Sequence, residues 1–313
     1  MSPEKGKLAF ALLLLTILTC ALSAQEPKPE QTPLNLRVDV DLVLATATVT
    51  DREGRFVVGL EKENFKIAED KVQQEIAYFS SEDIPVSVGI VFDVSGSMKD
   101  KMKTAVQAAI TFLKSGSPDD EYFLVEFSDK PVSTAFTSDI KKLQQRFMFS
   151  KAKGRTALYD AVYMGLNKLE ESNNAKRALL LITDGEDNRS RYTFSNVKEF
   201  IKERDVQMYT IGISNGPGDS AAEQGKALLR DLSSISGGES FTPTIYRLEE
   251  TTRSIAKELK YQYVIGYRST NTAKDGKYRK IKLTAEYPNN KLTVRAKQGY
   301  YGPAPAGKSA GNK

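Results

Sequence analysis

The chain has 313 residues, 45 basic and 40 acidic side chains, a net charge of +5, and 40% hydrophobic and 27% charged content. That balance describes a globular protein large enough for two cored domains and excludes a disordered or fibrous chain. Basic and acidic residues are interspersed, so no basic stripe points to nucleic acid; histidine is absent, which removes the usual general base of Ser-His-Asp and Cys-His sites and the commonest zinc ligand.

Lys5 and Lys7 lead into the apolar run 8–18 and then into the small residues Ala21-Leu22-Ser23-Ala24, the pattern of an export signal over 1–24. The run is too short to span a bilayer comfortably. The single cysteine, Cys20, falls inside this segment, so the mature protein is expected to carry neither disulfides nor thiol chemistry. Ile17-Leu18-Thr19-Cys20 partly matches a lipoprotein cleavage box, but threonine is a poor residue before the cysteine, and ordinary cleavage is favoured over a lipid anchor at Cys20. Export to the periplasm, the cell surface or the medium is expected. Residues 25–35 are polar and proline-rich, as a flexible leader would be.

Residues 36–82 read as a β segment. Within 37–50, Val38, Val40, Leu42 and Leu44 share one parity and Ala45, Ala47 and Val49 the other, so either a bulge or burial on both faces is required. After the turn 51–54, short strands around 65–68 and 75–79 complete a unit too small to close a core of its own.

From Val86 strands and helices alternate. Strand 86–92 precedes a helix with Met98, Met102, Ala105, Val106, Ala109, Ile110 and Leu113 on one face. Strands 122–127 and 132–136 form a hairpin pair, and helices follow over 139–147 and 157–170. The run 178–183, apolar on both faces, is a central parallel strand. A helix over 194–204, a strand over 206–213, a helix over 221–235 ending at Gly237-Gly238, a short strand near Ser240 and a helix with Leu248, Ile255 and Leu259 complete the region. Residues 86–260 are thus expected to be α/β, a doubly wound, mostly parallel sheet with helices on both faces.

Past this point the period returns to two. Tyr261, Tyr263, Ile265 and Tyr267 alternate, as do Ile281, Leu283, Ala285 and Tyr287, and Leu292, Val294 and Ala296 follow the turn at Pro288-Asn289-Asn290. Each flank has one apolar face to bury, so 36–82 and 261–301 are expected to form one small β-sandwich, with the α/β domain inserted between its halves. Residues 302–313 read as a disordered tail.

Asp93-Val94-Ser95-Gly96-Ser97 follows the first strand of the α/β region. Asp and Ser before a helix are common N-caps, but a carboxylate and two hydroxyls spaced two apart on a turn also suit Mg2+, which takes oxygen ligands in an octahedron at roughly 2.0–2.1 Å. In an open parallel sheet, ligands bind beyond the carboxyl ends of the strands. There Gly154-Arg155-Thr156 and Thr183-Asp184-Gly185 add Thr156 and Asp184 to Asp93, Ser95 and Ser97, five oxygen donors on three loops. Glu186 and Asp187 are either hydrogen-bonding partners of the ligands or a solvated acidic turn, the latter favoured. For Arg155 a local ion pair is favoured over steering of a partner carboxylate. Seven of the 14 tyrosines fall in the C-terminal flank, which strand preference explains without a binding face. Gly212, Gly216 and Gly218 lack the spacing of a dinucleotide loop.

On the ordered set D-x-S-x-S, Thr156 and Asp184, residues 86–262 resemble a von Willebrand factor type A domain with a metal-ion-dependent adhesion site. The resemblance implies Ser95, Ser97 and Thr156 contacting Mg2+ (or Mn2+ or Ca2+) through their hydroxyls, with Asp93 and Asp184 acting largely through bound waters. It also implies an open coordination position taken by an acidic group of a protein or peptide partner, and in some members binding is coupled to movement of the last helix, here 247–260. The flanks are similar to a related family of exported bacterial proteins best known from acidobacterial genomes, on Val49-Thr50-Asp51-Arg52-Glu53-Gly54 and Lys297-Gln298-Gly299-Tyr300-Tyr301. The expectation is an exported, non-enzymatic, metal-dependent protein-binding module with no nucleic-acid partner and no transmembrane span in the mature chain. The alternatives are an envelope assembly or scaffold protein with an incidental site, and a Mg2+-dependent phosphoester hydrolase.

Overall fold

The computed structural model describes residues 42–213, 220–288 and 291–305. The export-type segment, the leader, residues 36–41 of the first flank and residues 306–313 of the tail lie outside the described residues.

The first flank contributes β1 (Leu42–Thr50), β2 (Phe65–Glu69), β3 (Val72–Gln74) and β4 (Ile76–Ser80). The α/β region then runs β5 (Val86–Asp93), α1 (Met102–Ser115), β6 (Glu121–Phe127), β7 (Pro131–Ser133), α2 (Ile140–Phe149) and α3 (Leu158–Lys168). It continues with β8 (Lys176–Thr183), α4 (Phe194–Lys202), β9 (Gln207–Gly212), α5 (Ser220–Ser236), β10 (Ser240–Phe241) and α6 (Leu248–Lys260). The second flank supplies β11 (Tyr263–Arg268), β12 (Tyr278–Ala285), β13 (Thr293–Ala296) and β14 (Gly299–Tyr301).

The central sheet has the order β10-β9-β8-β5-β6-β7, parallel except for the β6–β7 hairpin. Its two middle strands, β5 and β8, are the runs with apolar residues at both parities, because each face meets helices. Val88, Ile90 and Phe92 pack with α1, α2 and α6, whereas Val91, Leu179 and Leu181 pack with α3, α4 and α5. The doubly wound α/β reading therefore holds.

The flanks interleave strand by strand. One sheet has the order β13-β1-β11-β4 and the other β14-β12-β2-β3, so each draws two strands from either side of the α/β region. Ala45, Ala47, Val49, Tyr263 and Ile265 of the first meet Phe65, Ile67, Ile281 and Leu283 of the second in one core, the small β-sandwich expected from the alternation. The parity switch in β1 is burial on both faces: Ala45, Ala47 and Val49 enter this core, while Thr48 faces the α/β domain and donates to Glu258 of α6 at 2.8 Å. Tyr261 departs from the sequence reading. It closes α6, is exposed and precedes β11, because the helix takes its backbone before the strand begins. Tyr287 likewise lies beyond β12 and is exposed. Among the described residues no helix is long and apolar enough to cross a membrane.

Candidate metal centre

The strand β5 is buried along its whole length and ends on Asp93, whose side chain has no solvent exposure. Asp93 Oδ1 accepts the Ser95 N–H at 2.8 Å and Oδ2 accepts the Thr183 hydroxyl at 2.6 Å, which ties the end of β5 to the end of β8. Burial pushes the Asp93 carboxyl up to about 6, with the nearby Asp184 charge adding to the rise and the Ser95 and Thr183 hydrogen bonds opposing it. Ser95 Oγ and Ser97 Oγ are 3.0 Å apart.

The second loop lies against the first. Gly96 N–H donates to the Gly154 carbonyl at 3.0 Å and Lys153 N–H to the Val94 carbonyl at 2.8 Å. Thr156, buried beside them, ties in the third loop: its N–H donates to Asn188 Oδ1 at 2.9 Å and its carbonyl accepts the N–H groups of Asn188 and Arg189 at 3.0 and 3.1 Å. Gly185 turns this loop at φ +89°, and a Cβ there would come within 3.0 Å of the Gly225 Cα, so the turn after Asp184 requires glycine. All five sequence-predicted residues thus sit on three loops joined by hydrogen bonds at one end of the sheet, which the capping reading of the first loop alone would not require.

Asp184 is 7% exposed, as is Lys101, whose Nζ lies 3.3 Å from Asp184 Oδ2. The other carboxylate oxygen, Asp184 Oδ1, is buried without a partner among the described residues. Buried polar atoms are nearly always hydrogen-bonded, so an orphan calls for a missing donor or cation. Two carboxylates and three hydroxyls fit a small hard cation held through oxygen. Among the described residues no group of three or more acidic, cysteine or histidine side chains is placed to hold a metal, so any cation here depends on the hydroxyls.

Several participants were missed in the sequence. Lys101 and Thr183 meet the site across distant positions, without a local pattern to mark them. Asp187, read as part of a solvated acidic turn, is half-buried: its Oδ1 accepts the Leu158 N–H at 2.8 Å and the Ser190 hydroxyl at 2.5 Å. It thereby caps α3, whose own N-cap residue, Ala157, has no side chain to do so. The D-x-x-S spacing of Asp187 and Ser190 was the available signal. Glu186 is exposed as expected. The Arg155 side chain is exposed and forms no ion pair among the described residues; only its backbone N–H is engaged, by Asp129 Oδ1 at 3.2 Å.

A family model described as the von Willebrand factor type A domain matches residues 87–261, more than half of the chain. The chain belongs to the von Willebrand factor type A family. Solved structures similar to this von Willebrand factor type A protein include the vWF domain of the type V pili tip protein Mfa5 from Porphyromonas gingivalis, at 16% identity and TM-score 0.49, covering 56% of this chain and 95% of that one. Another is a von Willebrand factor type A protein from Catenulispora acidiphila, at 14% identity and TM-score 0.48, covering 85% of this chain and 74% of that one. The conserved hypothetical protein BatB from Bacteroides thetaiotaomicron matches at 16% identity and TM-score 0.45, covering 56% of this chain and 99% of that one. Comparison with curated proteins finds no match.

Proposed function

We propose that this protein is an exported, non-enzymatic binding module that captures an acidic group of a protein partner through a divalent cation, Mg2+ in the first place, held by Asp93, Ser95, Ser97, Thr156 and Asp184. The observation that carries the reading is Asp184 Oδ1, a buried carboxylate oxygen without a partner among the described residues, beside a carboxylate–hydroxyl cluster. A cation bound there would supply a positive centre that a partner carboxylate completes. The export part rests on the signal pattern over residues 1–24.

The hydrolase alternative needs a base near neutral pH. Burial raises the Asp93 carboxyl toward that range, but both of its oxygens already accept hydrogen bonds, from Ser95 and Thr183. The binding reading is therefore preferred.

The test is isothermal titration of metal-stripped protein with Mg2+ and Mn2+, wild type against Asp93→Ala. The expected result is heat of binding in the wild type that the variant loses. Equal heats in both proteins, or none in the wild type, would remove the metal from the proposal. Steady metal-dependent turnover of a phosphate ester would favour the hydrolase instead.

A further inference from the structure

The segment that carries Thr156 into the site also builds a surface beside it. Phe147, at the end of α2, is buried, with its ring centroid 5.0 Å from that of Phe92 in an edge-to-face pair. Lys153 N–H bonds the Val94 carbonyl. Phe92 and Val94 flank Asp93, so both ends of the stretch 147–153 are pinned on either side of the proposed ligand. Residues between the two anchors are at most about 10 Å of extended chain from one of them. They therefore arch close to the loop that carries Asp93.

Two chemistries are exposed on this arch. The inward face of α2 is completed by Leu143 and Phe147, and the next two residues turn outward: Met148 is 76% and Phe149 80% exposed. They are the one sequence-adjacent pair among the large exposed hydrophobic residues described, where the others stand singly. Immediately after them come Lys151, Lys153 and Arg155, all exposed, with no acidic residue between them and no ion pair from any of the three among the described residues. Two acids touch this stretch: Asp129 accepts the Arg155 N–H, and Glu126 accepts the Ser150 hydroxyl. By contrast Arg146, on the same helix, is paired with Glu126 at 2.5 Å.

From this juxtaposition we infer that Met148, Phe149, Lys151, Lys153 and Arg155 form a docking surface for an acidic segment of a partner protein that carries a large apolar side chain close to its metal-directed carboxylate. The inference rests on the metal-capture reading for that carboxylate. Three uncompensated cations select a net negative segment and speed its approach. The apolar pair supplies a desolvated anchor of the kind that concentrates binding energy.

The probe is a displayed library of random linear peptides, selected on the full chain with Mg2+ present and followed by anisotropy titration of a selected peptide. Selected peptides are expected to be net acidic, with a large apolar residue within a few positions of an Asp or Glu. The double variant Met148→Ser/Phe149→Ser should weaken binding at least about tenfold while leaving the direct Mg2+ titration unchanged. Lys151→Glu/Lys153→Glu should weaken it and flatten its salt dependence. Both changes lie on exposed side chains, so circular dichroism should report unchanged folding. Selection of no peptides, peptides without that composition, or equal binding to the serine variant would overturn the surface. So would a wild-type dimer that the serine variant dissolves without any acidic peptide having been selected, since the occupant would then be a second copy. Peptide binding lost in the serine variant but retained in Asp93→Ala and in chelator would uphold the surface and reject metal capture.

Discussion

Lys101 Nζ stands 3.3 Å from Asp184 Oδ2, with both side chains withdrawn from solvent, so a fixed positive charge already sits against one of the proposed metal-site carboxylates. The pair answers a physical difficulty: without a cation, Asp93 and Asp184 are two buried carboxylates in one small site, and the ammonium offsets part of that charge. The same ammonium opposes an incoming divalent cation. Lys101→Met is therefore expected to tighten Mg2+ binding by about tenfold, or ~1.4 kcal/mol. The metal-free protein should lose roughly 3 kcal/mol of stability, because Asp184 is left buried and unpaired. Titration calorimetry together with urea unfolding in chelator measures both. Weaker Mg2+ binding in the variant would mean that Lys101 positions Asp184 and does not compete with the cation.

Asp187 links the third loop to α3 by accepting the Leu158 N–H and the Ser190 hydroxyl. Loss of a helix cap costs about 1 kcal/mol. Asp187→Ala is expected to show that loss in denaturant unfolding and to weaken Mg2+ binding a few-fold, since Thr156 lies on the capped segment. Asp187→Asn keeps an acceptor and should recover most of both. A variant with normal stability and normal metal affinity would return Asp187 to the solvated-turn reading.

The motif D-x-S-x-S and Asp184 could be read from the sequence because their loops leave the carboxyl ends of parallel strands, over 86–92 and over 178–183, the latter apolar at both parities; Thr156, on the connection between two helices, was marked only by its place before a helix. The sandwich was legible for a related reason: two half-cores with one apolar face each cannot stand alone. What the sequence did not disclose depends on through-space pairing. Lys101 and Asp184 are 83 positions apart and Thr183 and Asp93 are 90 apart. No local period marks such partners. Tyr261 shares the parity of Tyr263, Ile265 and Tyr267, yet parity cannot say at which residue a helix releases the chain, and Tyr261 closes α6.

Lys176 opens β8 and is buried, with its Nζ donating to the Leu259 carbonyl at the end of α6. Burial pulls its ammonium down from 10.5 to about 8, against the opposing pull of Asp83 and Asp120. Between these two values the unfolded chain holds a proton that the folded one has released, so this group's contribution to stability rises with pH across that window. Below about pH 8 the cost of the buried charge is present in full, and by about pH 10.5 it is gone. The shift corresponds to roughly 3 kcal/mol. Thermal unfolding of wild type and Lys176→Met over this range should show the wild type gaining on the variant as pH rises. The difference between the two proteins isolates Lys176 from the tyrosines that titrate nearby in pH. A constant difference across the window would mean that the Lys176 ammonium is not penalised by burial.

Glu258 fixes the last helix of the α/β domain to the sandwich. Its Oε1 accepts from Thr48 Oγ1 on β1, Tyr209 Oη on β9 and Arg295 Nη2 on β13, each at 2.8 Å, and the side chain is 2% exposed. Arg295 also reaches Glu239 at 2.9 Å, so the buried charge is shared across three segments. Any movement of α6 relative to the sandwich would have to break the bonds to Thr48 and Arg295, which makes them a direct measure of how firmly the helix is held there. Glu258→Ala is expected to cost about 3 kcal/mol in urea unfolding, because it leaves the buried Tyr209 phenol short of an acceptor and the partly buried Arg295 with Glu239 as its remaining carboxylate. Glu258→Gln, which keeps an oxygen in place, should cost less. Adding Arg295→Met to Glu258→Ala should recover part of the loss, since the guanidinium that has lost one of its two carboxylates is then removed, and a double-variant cycle reads the coupling directly. Losses that simply add would mean that the two side chains act independently and that α6 is held by its apolar contacts alone.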